Sequence, residues 1–189
     1  MRNLVLVLII LAAALTRLLP HPPNFAPITA MAVFGAITFG RWRTAVVAPL
    51  VALFVTDLSK ELLWRQGMSA QWGIYRGMWV TYGTTALVAL ISRVAHGSRR
   101  LSVIAGTTLL GSIVFFLVTN FAIWARGTRF PHTFDGLLEC YVVAIPFFRN
   151  SLAGDVVFGA ILFGAWALAE RWVPALRQRE ADAKPLAAT

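Results

Sequence analysis

Asp57 and Glu61 stand four residues apart in the run DLSKE, so on a helix they share one face. Two carboxylates placed that way repel each other unless Lys60, Arg65 or Arg17 pairs with them. They mark either the polar mouth of a ligand cavity or an interfacial ion-pair set that ends a helix. Asp57 lies deeper in its apolar segment and carries most of the functional reading, because ionisable groups at such depth are functional candidates by default. Arg17 sits one turn before Pro20, where a long side chain either snorkels as an anchor or serves a site. Asn24 falls in the turn PPNF, where its amide bonds its own backbone or a ligand. Asn120 and Trp124 share a helix face. Phe148 and Arg149 belong to a long connection, and Asp155 sits four residues after Ser151. Asp155 is expected to complement a helix N-terminus or to pair with Arg149 or Arg17 across a cavity. Together these residues suggest binding: arginines for anionic or carbonyl groups, Asp57 and Asp155 as acceptors, and Trp124 and Phe148 for stacking on a ring.

Catalysis is less well signalled. The single cysteine, Cys140, rules out an internal disulfide and any cysteine-based metal cage. It lies on an apolar stretch beside Glu139, a setting for a small hydrophobe rather than a low-pKa thiol. The three histidines, His21, His96 and His132, are dispersed. The chain has no Walker A sequence, HExxH, GxSxG or GxGxxG. No catalytic residue and no resident metal or cofactor is expected. An intramembrane enzyme using Asp57, His132, Cys140 and Asp155 stays as an alternative, and it needs two of these groups within hydrogen-bond reach.

The elements that must hold these residues follow from composition. Of 189 residues, 58% are apolar and 13% are charged, and the mean hydropathy is +0.71. Soluble domains run near ~45–50% apolar and ~25% charged, so an all-α membrane protein is expected. A ruler of about 20 apolar residues per crossing marks six spans, about 3–19, 26–40, 44–64, 74–92, 101–124 and 152–172. They form one domain over 1–172, followed by a polar tail, 173–189, expected to be disordered. The stretch LLECYVVAIPFF, broken by Pro146, reads as a short interfacial or re-entrant helix between the fifth and sixth spans. Residues 1–14 have a rival reading as a signal peptide, with Ala12-Ala13-Ala14 at the cleavage site. The net charge of +9 is explained by a basic cytoplasmic face and a lipid bilayer rather than by nucleic acid. More of the basic residues fall on the side holding both termini, which places the termini in the cytoplasm. Small-residue stripes, Ala32/Ala36/Gly40 and Ala160/Gly164, let helices pack closely or dock a partner.

Three blocks, RLLPHPPNFAPITAMAVFG (17–35), LVTNFAIWA (117–125) and FDGLLECYVVAIPFFRNSLAGD (134–155), resemble a family of small bacterial membrane proteins. Its members are described as transport proteins whose function is not assigned. The helix count, chain length and polar outer loops are also similar to the S components of energy-coupling-factor vitamin transporters. A solitary type of those is associated with cobalamin and uses a cysteine as cobalt ligand; Cys140 does not match that ligand's place. The resemblance implies an inner-membrane uptake protein with an outward-facing cavity, a vitamin-like ligand such as cobalamin, and a separate energy-coupling ATPase module as partner. The candidate ligand residues are Arg17, Asn24, Asp57, Asn120, Trp124, Phe148, Arg149 and Asp155. The alternative is a non-catalytic assembly subunit.

Overall fold

The computed structural model describes residues 1–176. Six α-helices follow one another: α1 (Arg2–Leu15), α2 (Ile28–Thr38), α3 (Trp42–Arg65), α4 (Met78–Ile91), α5 (Leu101–Arg126) and α6 (Phe134–Trp172). Short 3-10 turns extend α1 and α4, over Thr16–Leu18 and Ser92–Ala95. There is no strand among the described residues. Three segments are long and apolar enough to cross a membrane: Met78–Ala95, Leu101–Arg126 and Phe134–Trp172. The expectation of six spans is met in part, since the other three helices are too short or too polar for that test. Residues 177–189 of the expected tail lie outside the described residues, while Pro174–Leu176 form a turn that buries Leu176.

The arrangement is organised by α2. It packs against each of the other five helices, and its residues from Thr29 to Thr38 are all buried. The sequence TAMAVFGAIT is apolar on every side, the pattern of a helix with no solvent face. Gly35 lets α3 come close: a Cβ there would sit 2.9 Å from the Ala45 carbonyl oxygen. Ala32 and Ala36 pack internally at 0% exposure, whereas Ala160 of the second stripe faces outward.

Both ends of α2 are closed by other elements. At its start the Ala30 amide donates to Asp155 Oδ1 of α6 at 3.1 Å. At its end Arg93 donates to the carbonyls of Ala36, Phe39 and Gly40 at 2.9, 2.6 and 3.2 Å. The Gly97 amide donates to Ile37, and Arg2 donates to the Thr38 carbonyl. His96 Nδ1 lies 3.1 Å from the Ile37 carbonyl. Burial first, and then Arg93, hold the His96 imidazole below its ordinary pKa.

On α3 the inward face carries Ala45, Pro49, Ala52, Leu53, Thr56, Asp57 and Glu61, spaced by three and four residues. The outward face carries Val47, Val51, Phe54, Leu58 and Leu62. The same inversion marks α5, where Thr107, Thr108, Gly111 and Ser112 are buried and Leu109, Leu110, Ile113, Leu117 and Phe121 are exposed. Polar groups inside and apolar groups outside reverse the pattern of a soluble helix.

One expectation is corrected. LLECYVVAIPFF is neither a separate interfacial helix nor a re-entrant one, but the first part of α6, which runs unbroken through Pro146. Pro146 removes one backbone donor, yet its neighbours hold the path on both sides. Tyr141 donates to the Leu117 carbonyl at 2.8 Å, and Asn150 to the Pro23 carbonyl at 3.0 Å. The helix starts where Thr133 Oγ1 accepts from the Gly136 amide, with Asp135 in the first turn, a normal N-cap. The long connection thus shrinks to Gly127–Thr133. At about 1.5 Å per residue, spin labels at exposed Leu138 and Leu168, in a Cys140→Ser background, are expected about 45 Å apart. A distance of about 35 Å or less by electron–electron resonance would instead mean that the chain turns back at Pro146.

Candidate functional site

Arg17 is carried by the turn that ends α1 and is 7% exposed. Its guanidinium donates from NH2 to Asp57 Oδ1 at 2.7 Å and from NH1 to the Leu53 carbonyl at 3.3 Å and to the Thr56 hydroxyl. Tyr82 of α4 donates to Asp57 Oδ2 at 2.9 Å. Asp57 therefore has both oxygens engaged by charge-matched or hydroxyl donors, the satisfaction that a buried carboxylate requires. Glu61, one turn on, accepts from Arg65 Nε at 2.9 Å and from the amides of Gly73 and Ile74 at 3.3 and 3.2 Å. The two carboxylates escape mutual repulsion through the arginines that their spacing called for.

Glu61 also fastens the segment between α3 and α4 onto the ion pair. Gly73 packs so tightly there that a Cβ would fall 1.7 Å from the Asp57 carbonyl oxygen. This places Gln71 and Tyr75 over a cavity of about 690 Å³. Tyr75 shares a 2.9 Å hydrogen bond with Thr81, and burial pushes its hydroxyl up from the ordinary phenol pKa. It remains protonated at neutral pH.

The floor of the cavity is polar. Asp155, 2% exposed on α6, accepts from Ser112 Oγ at 2.7 Å as well as from the Ala30 amide. Thr29 lies beside it. The walls are aromatic: Phe115 and Phe116 on α5 face Phe147 and Phe148 on α6. The Phe116 and Phe148 rings are 4.7 Å apart between centroids. Asn24, the one non-glycine residue with positive φ among the described residues (62°), turns the 20–27 loop at the mouth. Asparagine tolerates that conformation better than most residues.

Of the expected ligand residues, the structure brings Arg17, Asn24, Asn120, Phe148 and Asp155 to the cavity wall, with Asp57 directly behind Arg17. Arg149 is exposed and does not line it, and it makes no ion pair among the described residues. A step of one residue turns a helical side chain about 100°, so Phe148 faces in while Arg149 faces out. Trp124 is corrected too. It stands beyond the cavity, donating to the Pro131 carbonyl at 2.9 Å and packing on His132 at 5.6 Å, where it shapes the loop before α6. The proposed pairing of Asp155 with Arg149 or Arg17 is absent, and Asp155 is not in a first helical turn. It does complement a helix N-terminus, but that of α2 rather than its own. Asn120 donates to the Phe116 carbonyl at 2.8 Å. Cys140 lines the wall, 2% exposed, with Sγ 3.6 Å from the Asn120 carbonyl. No group of three or more His, Cys, Asp or Glu among the described residues is arranged to hold a metal ion.

Thr29, Ser112, Tyr75 and Tyr82 were not singled out from sequence. Tyr75 sits in the aromatic run WGIYRG, which is the one signal that pointed to that segment. Lys60, considered only as a partner for carboxylates, lines the cavity as well.

The model of a family described as a family of unknown function (DUF6580) matches residues 1–176. No curated protein and no solved structure matches the chain.

Removing one partner of a buried ion pair costs about 3–5 kcal/mol. Asp57→Ala is accordingly expected to lower the melting point of the detergent-solubilised protein sharply, and Asp57→Leu with Arg17→Met to recover part of the loss. Gly73→Ala should expose the Gln66–Gly77 segment to limited proteolysis while the helices persist by circular dichroism. An Asp57→Ala protein as stable as the parent would remove the pair from its structural role.

Proposed function

We propose, for a chain that belongs to the DUF6580 family of unknown function, an integral membrane protein that binds a small organic molecule in this cavity and serves its uptake. The observation that carries the proposal is the cavity itself. About 690 Å³ lies within the range of small-molecule sites, and apolar aromatic walls with a few convergent polar groups are their usual make-up. The exposed apolar faces of α3, α5 and α6 support placement in a bilayer, since a soluble monomer rarely shows contiguous apolar patches of such extent. The end of the bundle that holds Met1, the α2–α3 and α4–α5 connections and Trp172 carries seven arginines against Glu170, and the opposite end carries seven basic residues against five acids. Arg177, Arg179 and Lys184, which follow Trp172 in the chain, give the first end the excess that the positive-inside rule reads as cytoplasmic, which supports a bacterial inner-membrane placement with the cavity mouth outward.

The 20–27 loop, tied to α6 through Asn150, and the Glu61-anchored segment would frame the ligand at the mouth. A ligand of vitamin size suits the volume, with cobalamin at the bulky end of the class suggested by resemblance. Energy would come from a separate ATPase module or from an ion gradient. The small-residue face at Ala160 and Gly164 gives the assembly-subunit alternative its one point of support.

A ligand present at ~100 times its dissociation constant stabilises a protein by ~2.7 kcal/mol. Thermal unfolding of the purified protein against a vitamin and cofactor panel, cobalamins included, is expected to show a shift of several degrees for at least one compound. Phe148→Ala or Asn120→Ala should abolish that shift, while Arg149→Ala should leave it. A flat panel on folded protein would pass the argument to the assembly subunit.

A further inference from the structure

Lys60 is a half-buried cation in the cavity wall with no anion of its own. It follows Asp57 by one turn of α3, but Asp57 Oδ1 is held by Arg17 and Oδ2 by Tyr82. Glu61, next in the chain, is occupied by Arg65 and by the Gly73 and Ile74 amides. Asp155 contributes the one carboxylate in the cavity wall, and it is saturated by Ser112 and Ala30. Among the described residues Lys60 makes no ion pair and no side-chain hydrogen bond. An ammonium carries three donors and no acceptor. Arg17 beside it adds positive potential, and Asp57 balances one of the two charges. Arg129, its guanidinium 5.4 Å from the Phe130 ring centroid, lines the same cavity. A cavity with this balance attracts anions.

Resting on the uptake reading above, we propose that the cavity's ligand is an organic anion, with a carboxylate or phosphate held by Lys60 and a flat apolar body lying against the aromatic wall that the packed Phe116 and Phe148 rings form. Lys60 is only half-buried, so its ammonium can be reached from the mouth, where a ligand's oxyanion would take the place of solvent. A charge-assisted bond to a desolvated lysine is among the stronger single contacts a site can make. The aromatic walls supply the burial that an oxyanion by itself lacks.

The experiment titrates full-length protein in phosphatidylcholine nanodiscs with matched acid and amide pairs: benzoate and benzamide, 2-naphthoate and 2-naphthamide, indole-3-acetate and indole-3-acetamide. Phenyl phosphate serves as the phosphate probe. At least one anion should raise the melting point while its neutral partner does not. Lys60→Met should weaken that anion about 10- to 100-fold, and Lys60→Arg should restore the preference for anions. Lys60→Met should melt close to the parent, because no ion pair or side-chain hydrogen bond among the described residues is lost and methionine keeps the apolar stem's packing. Added phosphatidylglycerol that competes with the acid would assign the oxyanion to a lipid headgroup, and no competition assigns it to a soluble acid; both support the site. Equal stabilisation by acids and amides would overturn this proposal and leave the cavity's binding role standing. An unchanged affinity in Lys60→Met would overturn it likewise. Stabilisation by no member of any pair would overturn both.

Discussion

An eleven-residue helix buried on all sides cannot turn its ends to water, and this constraint on α2 governs the rest of the structure. Each helix end leaves four backbone groups without an internal partner, and burying such groups unpaired costs about 1–3 kcal/mol apiece. The protein meets the demand with side chains whose charges also match the helix dipole, an acid at the positive end and arginines at the negative end. Asp155 fixes the height of α6 against the start of α2. Arg93 reaches three carbonyls at its end, and Arg2 brings the beginning of α1 to the same place. The positions of α1, α4 and α6 along α2 are set by these bonds, with apolar packing filling the space between them.

The inverted polarity of the outer helices follows a related logic. A polar interior is costly unless each group has a partner, and most of the buried hydroxyls here find one inside their own helix. Thr38, Thr84, Thr85, Thr107 and Thr108 each donate to the carbonyl four residues earlier, a local bond that needs no neighbour. Charged side chains cannot be satisfied so cheaply. They are gathered at the Arg17–Asp57–Tyr82, Glu61–Arg65 and Arg99–Glu170 groups and at the end of α2, while Lys60 and Arg129 line the cavity without an ion pair among the described residues.

Sequence made the helical class legible because hydropathy is a sum over many residues, and it made the Arg65–Glu61 pair legible because helical spacing restricts what can meet; Arg17 was one of three cations offered to the carboxylates, and packing across 40 residues selects it for Asp57. The continuity of α6 was not legible. The rule that proline ends a helix is local, whereas the bonds from Tyr141 and Asn150 that hold both sides of Pro146 come from segments 24 and 127 residues away. Thr133 followed by Asp135 is a cap pattern present in the sequence, and a reading guided by Pro146 alone left it unused. Asp155 was recognised as a helix-terminus carboxylate but assigned to the wrong helix, since its partner Ala30 is 125 residues distant and no spacing reveals it. Arg149 and Trp124 were chosen by residue type and depth. Type and depth do not fix facing, which depends on angular phase and on where α5 ends, and both turn on packing.

Asp155 belongs at once to the cavity floor and to the cap on α2, and that double role joins the two ends of the molecule. Its Oδ2 takes the Ser112 hydroxyl at the cavity and its Oδ1 takes the Ala30 amide. A ligand group that competes for Ser112 or Thr29 acts directly on the acceptor that holds the positive end of α2. From there the rigid helix runs about 16 Å at ~1.5 Å per residue to the carbonyls held by Arg93, Arg2 and His96 at the basic end. A short helix with few free groups moves as a rod or not at all, because bending it would break caps on both sides. The cavity floor and the basic face are therefore joined through α2 by packed and bonded groups, the kind of contiguous connection through which occupancy of the cavity would act on that face. Under the uptake reading proposed above, such a link would join the ligand site to the opposite, basic face, and its physical origin is the need to close the two ends of one buried helix.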